Sequence, residues 1–184
     1  MTNNERALLD VIAYAEGTIG LSNNGYDITF GHWVIQGWSE NTDINHKGAD
    51  WAQPFGKTTS NAAGRYQFLQ SSWMGNWTGG DKTKEGQNVA MTKSNQDIAA
   101  LYQIKTKRKV TDDEISGLED LSTFTTVINK LAPEWASLPT LDGTGYYSDQ
   151  GGDHSQEELL GIFNIALERY KKIKGRDAGS AFGA

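Results

Sequence analysis

The chain contains no cysteine. Disulfides and thiol catalysis are therefore excluded, and a structural zinc site of the usual cysteine-rich type has nothing to be built from. No apolar stretch approaches the ~20 residues needed to cross a bilayer, so membrane insertion is not expected. Positive charge is also scarce: 17 Lys and Arg stand against 23 Asp and Glu, a formal net charge of -6. Binding to phosphates needs a basic surface, so nucleic acid is disfavoured as a partner. The single basic run, Lys105, Lys107, Arg108 and Lys109, falls at the end of a helical pattern, where cations complement the helix dipole. His32, His46 and His154 are far apart and no His-Glu-x-x-His string occurs, which leaves a metalloprotease without support. Gly56-Lys57-Thr58 lacks the upstream glycine of a phosphate-binding loop, because Trp51 stands there. Met1 to Asp10 carry charges in place of a basic-then-apolar secretory signal, and synthesis in a cytoplasm is expected.

What is present points to a globular domain. A chain of 184 residues is long enough for one domain with a real core and short for two. We expect that domain over 1–174 and a flexible tail of small residues over 175–184. Thr2 and Glu5 form a capping-box pattern ahead of Leu8, Ile12 and Ala15, with Gly17 as a stop. Between Thr18 and Asn61 the periodicity changes. Tyr26–Phe30 and Trp33–Ile35 read as strands of a small hairpin, followed by a long polar loop from Ser39 to Ser60. Helical spacing returns with Tyr66, Leu69, Trp73 and Trp77, closed by Gly79-Gly80. Ser94 is the expected cap of a helix carrying Ile98, Leu101 and Ile104, and Thr111 with Glu114 forms a second capping box. Phe124, Val127, Ile128 and Leu131 predict another helix, stopped by Pro133, and Ser155 with Glu158 opens a last one. The fold class is α+β, mainly α-helical, with one small sheet.

Six Trp and seven Tyr, several of them among Gly, Asn and Ser, are the other conspicuous feature. Flat rings with a polar edge suit the faces of sugars, although they also fill cores. Glu16 then becomes interesting. Glycoside cleavage needs an acid that can protonate a leaving oxygen near neutral pH. The negative end of a helix dipole disfavours a charged carboxylate by ~0.3–1 kcal/mol, and burial has the larger effect. Sequence places Glu16 at the helix end and says nothing of its burial; a fraying surface Glu is the competing reading.

Five strings in register decide between them. Ala15-Glu16-Gly17-Thr18 is followed by Gly25-Tyr26-Asp27, Ala63-Gly64-Arg65-Tyr66-Gln67, Trp135-Ala136-Ser137-Leu138-Pro139 and Gly143-Thr144-Gly145-Tyr146. The series, from about Arg6 to Tyr170, resembles the phage lambda lysozyme family of lysozyme-like endolysins. That resemblance implies a lysozyme-like fold with a small β-hairpin lobe and two loops over a groove, here Asn45–Ser60 and Thr140–Asp153. It implies Glu16 as the catalytic acid and Tyr66 and Gln67 as substrate-facing residues on a helix beside the cleft. Tyr26, Asp27, Arg65, Trp135, Ser137, Tyr146 and Tyr147 are further candidate substrate contacts. The activity implied is lytic transglycosylation of peptidoglycan glycan strands at the MurNAc–GlcNAc β-1,4 bond, by a monomer without metal or cofactor. The enzyme would reach the wall through a pore or in a virion. Asp27 keeps two readings: the second carboxylate of a hydrolytic muramidase, or a turn residue satisfying backbone donors. A glycan-binding virion module without turnover is the third alternative. The chain departs from the family in a longer, Trp-rich first loop region (Trp33, Trp38, Trp51) and a longer second loop.

Overall fold

A computed structural model of the protein describes residues 1–55, 58–78, 89–148, 152 and 154–180, with backbone alone for 58, 76–78 and 174–180. The chain falls into two compact units, one made of Met1–Ala15 with Arg108–Ala184 and the other of Glu16–Lys107.

The first unit is helical. Helix α1 (Asn3–Ala15) opens with the expected capping box: Glu5 N donates to Thr2 Oγ1 at 3.1 Å, and Thr2 N donates back to Glu5 Oε2 at 2.5 Å. Its apolar residues are widely spread, so the helix is buried almost all round, with Ala7, Leu8, Val11 and Ile12 fully enclosed. Helices α4 (Asp112–Ser116), α5 (Leu121–Leu131) and α6 (Gln156–Ser180) complete the unit. Phe124, Val127, Ile128 and Leu131 of α5 are buried with Leu159, Phe163 and Leu167 of α6, and the Phe124 and Phe163 rings meet at 5.9 Å. Asp10, buried on α1, is matched by an ion pair to Arg169 and a hydrogen bond from Tyr170 Oη at 2.9 Å. Helix α5 ends two residues before Pro133, as its missing N–H requires. Its cap is Asp120, whose carboxylate accepts from Thr123 N at 2.8 Å. Ser155 Oγ accepts from Glu158 N at 3.1 Å, while the Glu158 carboxylate accepts instead from Tyr14 Oη at 2.7 Å. The expected tail begins inside α6, which runs to Ser180, and 181–184 lie outside the described residues.

The second capping box is also realised. Glu114 N donates to Thr111 Oγ1 at 3.2 Å and Thr111 N to Glu114 Oε2 at 2.9 Å. Thr111→Ala is expected to cost about 1 kcal/mol, read as a lower urea midpoint at unchanged slope.

The second unit holds both small sheets. Strand β1 (Ile28–Thr29) pairs antiparallel with β2 (Trp33–Val34), Ile28 opposite Val34 and Thr29 opposite Trp33. The polar loop after it is more ordered than its composition predicts. It contains a 3-10 turn, Gly48–Trp51, and a second antiparallel pair, β3 (Gln53–Phe55) with β4 (Thr58–Ser60). Phe30 and Phe55 pack edge to face at 5.2 Å, which gives the loop an apolar anchor. Helices α2 (Gln70–Thr78) and α3 (Lys93–Tyr102) follow, and α3 runs into a π-helical turn over Gln103–Lys107.

Three expectations are corrected in this unit. The string from Ala62 to Leu69 is not helical. Ala63 and Phe68 exchange two backbone hydrogen bonds, closing a turn over Gly64–Gln67, and α2 starts only at Gln70. Gly64 forces this: at φ +78 it leaves the helical region, and a Cβ there would meet Gln96 Oε1 at 2.3 Å. Leu69 is consequently exposed, whereas Tyr66 and Trp73 are buried. Helix α3 is capped by Thr92, whose Oγ1 accepts from Asn95 N at 3.1 Å, and Ser94 lies inside it. Its inward face is Gln96, Ala99, Ala100, Gln103 and Ile104, and Ile98 is exposed. Gly56, Lys57 and Gly79-Gly80 lie outside the described residues, as does the side chain of Trp77. Among the described residues no helix is long and apolar enough to cross a membrane.

Candidate active site

Glu16 follows directly on Ala15, the last residue of α1, and stands half-buried in a turn with Gly17. Two residues on, Thr18 is fully buried and pins that turn. Its hydroxyl donates to Arg65 O at 2.6 Å. Gly25 at φ +86 packs so closely on Thr18 that a Cβ would lie 2.7 Å from its carbonyl oxygen. The Gly-Tyr-Asp string thus keeps its glycine for close approach to the Glu16 turn.

Behind the turn lies a buried polar cluster centred on Arg65, which is 1% exposed. The guanidinium donates to Asn24 O through Nη1 and sits 5.2 Å from the centroid of the Tyr26 ring and 6.0 Å from that of Tyr66. Both tyrosine hydroxyls donate to Asp97 Oδ1, at 2.7 Å from Tyr26 and 2.6 Å from Tyr66. Gln96 completes the frame. Its Oε1 accepts from Arg65 N at 2.8 Å, and its Nε2 donates to the carbonyls of Tyr26 and Met91, each at 2.9 Å. Burial pushes the Asp97 carboxyl up, opposed by the two tyrosine hydroxyls and by the Arg65 charge. Burial likewise pushes both tyrosine hydroxyls up, with the Asp97 charge adding to it. The tyrosines therefore remain neutral donors, and the cluster is a fixed scaffold with its hydrogen bonds made.

The expected contact residues fall in different surroundings. Tyr26, Arg65 and Tyr66 are enclosed in this cluster, next to the Thr18 hydroxyl that Arg65 O accepts. Gln67 is half-buried at φ +47 and spends its amide on Gly64 O at 2.9 Å. Asp27 is 2% exposed; its Oδ2 accepts from Ser22 Oγ at 2.8 Å and Asn23 Nδ2 at 2.6 Å. Its backbone lies in a turn, its donors are side chains, and its Oδ1 is buried without a hydrogen-bond partner among the described residues. Trp38 is also core, its Nε1 donating to Met91 O at 2.9 Å. The remaining candidates belong to the other unit. There Trp135 is buried, Ser137 is half-exposed, and Tyr146 and Tyr147 are exposed with rings 5.0 Å apart. Tyr147 Oη donates to Pro133 O at 3.0 Å, which ties the second loop down. Of that loop, 149–151 and 153 lie outside the described residues.

Gln96, Asp97 and Thr18 were not singled out in the sequence. A signal for Gln96 existed: 96, 99, 100, 103 and 104 share one helical face, on which two amides stand among Ala99, Ala100 and Ile104. Read on polarity alone, that face looks like the solvent side. His46 is another such residue. It is 5% exposed, with Nε2 2.8 Å from Phe68 O and Nδ1 accepting from Gly48 N at 3.1 Å. A carbonyl only accepts, so Nε2 carries the proton and the ring is neutral. Burial holds the imidazole below its usual range. The native state favours the neutral ring, so this stability is present above about pH 6.5, the unfolded value, and is lost as pH falls through the lower folded value. The melting temperature of the wild type is expected to drop more between pH 7 and pH 5 than that of His46→Gln.

Comparison with known proteins bears on the family and the fold. A family model described as Endolysin matches residues 6–168. An endolysin of Escherichia phage lambda is 28% identical over 177 residues, which is 94% of this chain and 97% of that protein. A bacteriophage lambda lysozyme complexed with a chitohexasaccharide superposes with a TM-score of 0.63 at 27% identity, covering 90% of this chain and 95% of that one. A second lysozyme structure from bacteriophage lambda gives the same TM-score and coverage at 24% identity, which speaks for the lysozyme-like α+β fold. Since the family match runs over 6–168 of 184 residues, the chain belongs to the Endolysin family.

Proposed function

We propose that this lysozyme-like endolysin is a lytic transglycosylase that cuts the MurNAc–GlcNAc β-1,4 bond of peptidoglycan and leaves 1,6-anhydromuramoyl ends. The observation that carries the reading is the state of Asp27. A two-carboxylate glycosidase needs its second carboxylate beside the sugar, as nucleophile or as base for a water. Asp27 is 2% exposed; Ser22 and Asn23 bond its Oδ2, and its Oδ1 is buried without a hydrogen-bond partner among the described residues, so burial keeps both oxygens from a sugar or a water in bulk solvent, which speaks against either role. Chemistry by one carboxylate avoids that need.

In this reading Glu16 donates its proton to the glycosidic oxygen as the C1–O bond breaks. The C6 hydroxyl of the same muramic acid then attacks C1, and the Glu16 carboxylate takes the hydroxyl proton. One carboxyl serves as acid and then as base, and it ends protonated as it began. The internal hydroxyl replaces water with an effective molarity of order 10⁵–10⁸ M, which offsets the missing second residue. Glu16 is the catalytic residue; Thr18, Arg65 and Gln96 are positioning residues that act through its turn. Tyr146, Tyr147 and Ser137 are the remaining candidate glycan contacts. Residues 1–174 are taken as one catalytic domain, a reading supported by the unit of 16–107 being inserted in sequence between the two segments of the other unit. The protein works as a monomer, without metal or cofactor. It is made in the host cytoplasm and acts on the wall after release through a pore or delivery in a virion.

The test is to digest purified sacculi and weigh the soluble fragments. Anhydro-terminated muropeptides are expected. Fragments heavier by one water would make the protein a hydrolytic muramidase, and sacculi bound without any release would make it a glycan-binding module.

A further inference from the structure

A second feature of the Glu16–Lys107 unit has no part in that chemistry. Both residues of β2 are exposed, Trp33 at 65% and Val34 at 45%. They border a groove of about 380 Å³ whose other walls include Gln36, Lys47, Asp50 and the half-exposed Trp51. We propose that this groove is a further saccharide subsite, which takes a ring of the glycan strand away from the bond being cut. The proposal rests on the reading of the protein as an enzyme of glycan strands.

The lining matches a sugar better than an apolar partner. A pyranose has C–H faces that lie on an indole and an edge of hydroxyls and amides that needs donors and acceptors together. Around Trp33 and Trp51 the groove offers an amide at Gln36, an ammonium at Lys47 and a carboxylate at Asp50. An apolar helix docking here would have to desolvate both charges, whereas sugar hydroxyls bond to them. The volume lies within the ~300–1,000 Å³ of small-ligand sites. Leaving a tryptophan mostly in water also forgoes burial energy that every other described Trp but the half-exposed Trp51 collects.

The hairpin joins this groove to the catalytic turn within the same unit. A Cβ on Gly17, next to Glu16, would lie 3.9 Å from Nε2 of His32, and Trp33 follows His32 in the chain. His32 itself is held at φ +67 by the tight turn in which its N–H donates to Thr29 O at 3.0 Å. His32 thus approaches the catalytic turn and Trp33 is its neighbour in the chain; the proposal places the Trp33 ring beyond the reacting rings, where a longer strand is needed to reach it.

Chain length is accordingly the readout. Calorimetric titration of full-length Glu16→Gln and of Glu16→Gln with Trp33→Ala would use peptide-free peptidoglycan strands of four and of eight sugars. Loss of Trp33 is expected to weaken binding of the eight-sugar strand about tenfold and to leave the four-sugar strand within about twofold. Gln36→Ala should weaken the long strand in the same direction by a smaller factor, and its exposed position leaves the core untouched. Equal losses on both strands, or no loss on either, would overturn the subsite. Turnover of sacculi by the wild type is read in parallel. Active wild type with inactive Glu16→Gln and no length dependence overturns the subsite alone, whereas failure of the turnover arm overturns the proposed reaction.

Discussion

Replacing Glu16 by Gln is expected to lower the release of soluble fragments from sacculi by about 10²–10⁴-fold while leaving binding to intact sacculi in place. The amide keeps the size of the carboxylic acid and removes the proton that the leaving oxygen needs. The turn that carries residue 16 is held by the Thr18 hydroxyl on Arg65 O and by the close approach of Gly25 to Thr18. A loss confined to turnover, with an unchanged melting temperature, would mark a catalytic role. An equal loss of binding and turnover would mark a structural one, and undiminished clearing by Glu16→Gln would remove Glu16 from the mechanism.

The largest effect on stability is expected at Arg65. Arg65→Met keeps much of the volume and removes the cation between two tyrosine rings, beside the Asp97 carboxylate that their hydroxyls contact. Removing one partner of a buried, hydrogen-bonded charge cluster typically costs ~3–5 kcal/mol, and here the Asp97 carboxylate would keep only the two tyrosine hydroxyls and the Lys93 charge to offset its burial. Asn24 O would also lose its donor. We expect Arg65→Met to lower unfolding free energy by that amount in urea titration, and Arg65→Lys to recover only part of it. An ammonium cannot reproduce the planar stacking against Tyr26 and Tyr66. A loss below about 1 kcal/mol would show that the cluster is dispensable for stability, in line with the modest worth of exposed pairs. Activity should fall with stability here, since Arg65 O holds Thr18 and Thr18 holds the turn of Glu16.

Much of the helical part was legible because its signals are local. The capping boxes at Thr2 with Glu5 and Thr111 with Glu114 need residues only three apart, and the stop at Pro133 needs one missing N–H. The apolar spacing of α5 likewise meets its partners wherever those come from in the chain. The string from Ala62 to Leu69 misled for the opposite reason. Its apolar residues suit a helical period, but Gly64 is held at positive φ by Gln96, thirty-two residues away. The inward face of α3 was hidden because it carries Gln96, whose amide is bonded to backbone groups of Tyr26, Arg65 and Met91.

By itself the sequence determined the class of the protein: a mainly helical, cysteine-free α+β chain with a glutamate at the end of its first helix and five strings in endolysin order. Those features are short-range or depend only on residue order. Tertiary structure alone decided which functional side chains face outward. Tyr26, Arg65 and Tyr66, which sequence offered as substrate contacts, turned inward onto Asp97, and Asp27 was enclosed by Ser22 and Asn23. Trp33, one tryptophan among six in the sequence, was left exposed on β2. The physical reason is the same in each case. A polar or aromatic side chain has no fixed side of its own, and burial is settled by whether distant parts of the chain supply the hydrogen bonds that make leaving water affordable.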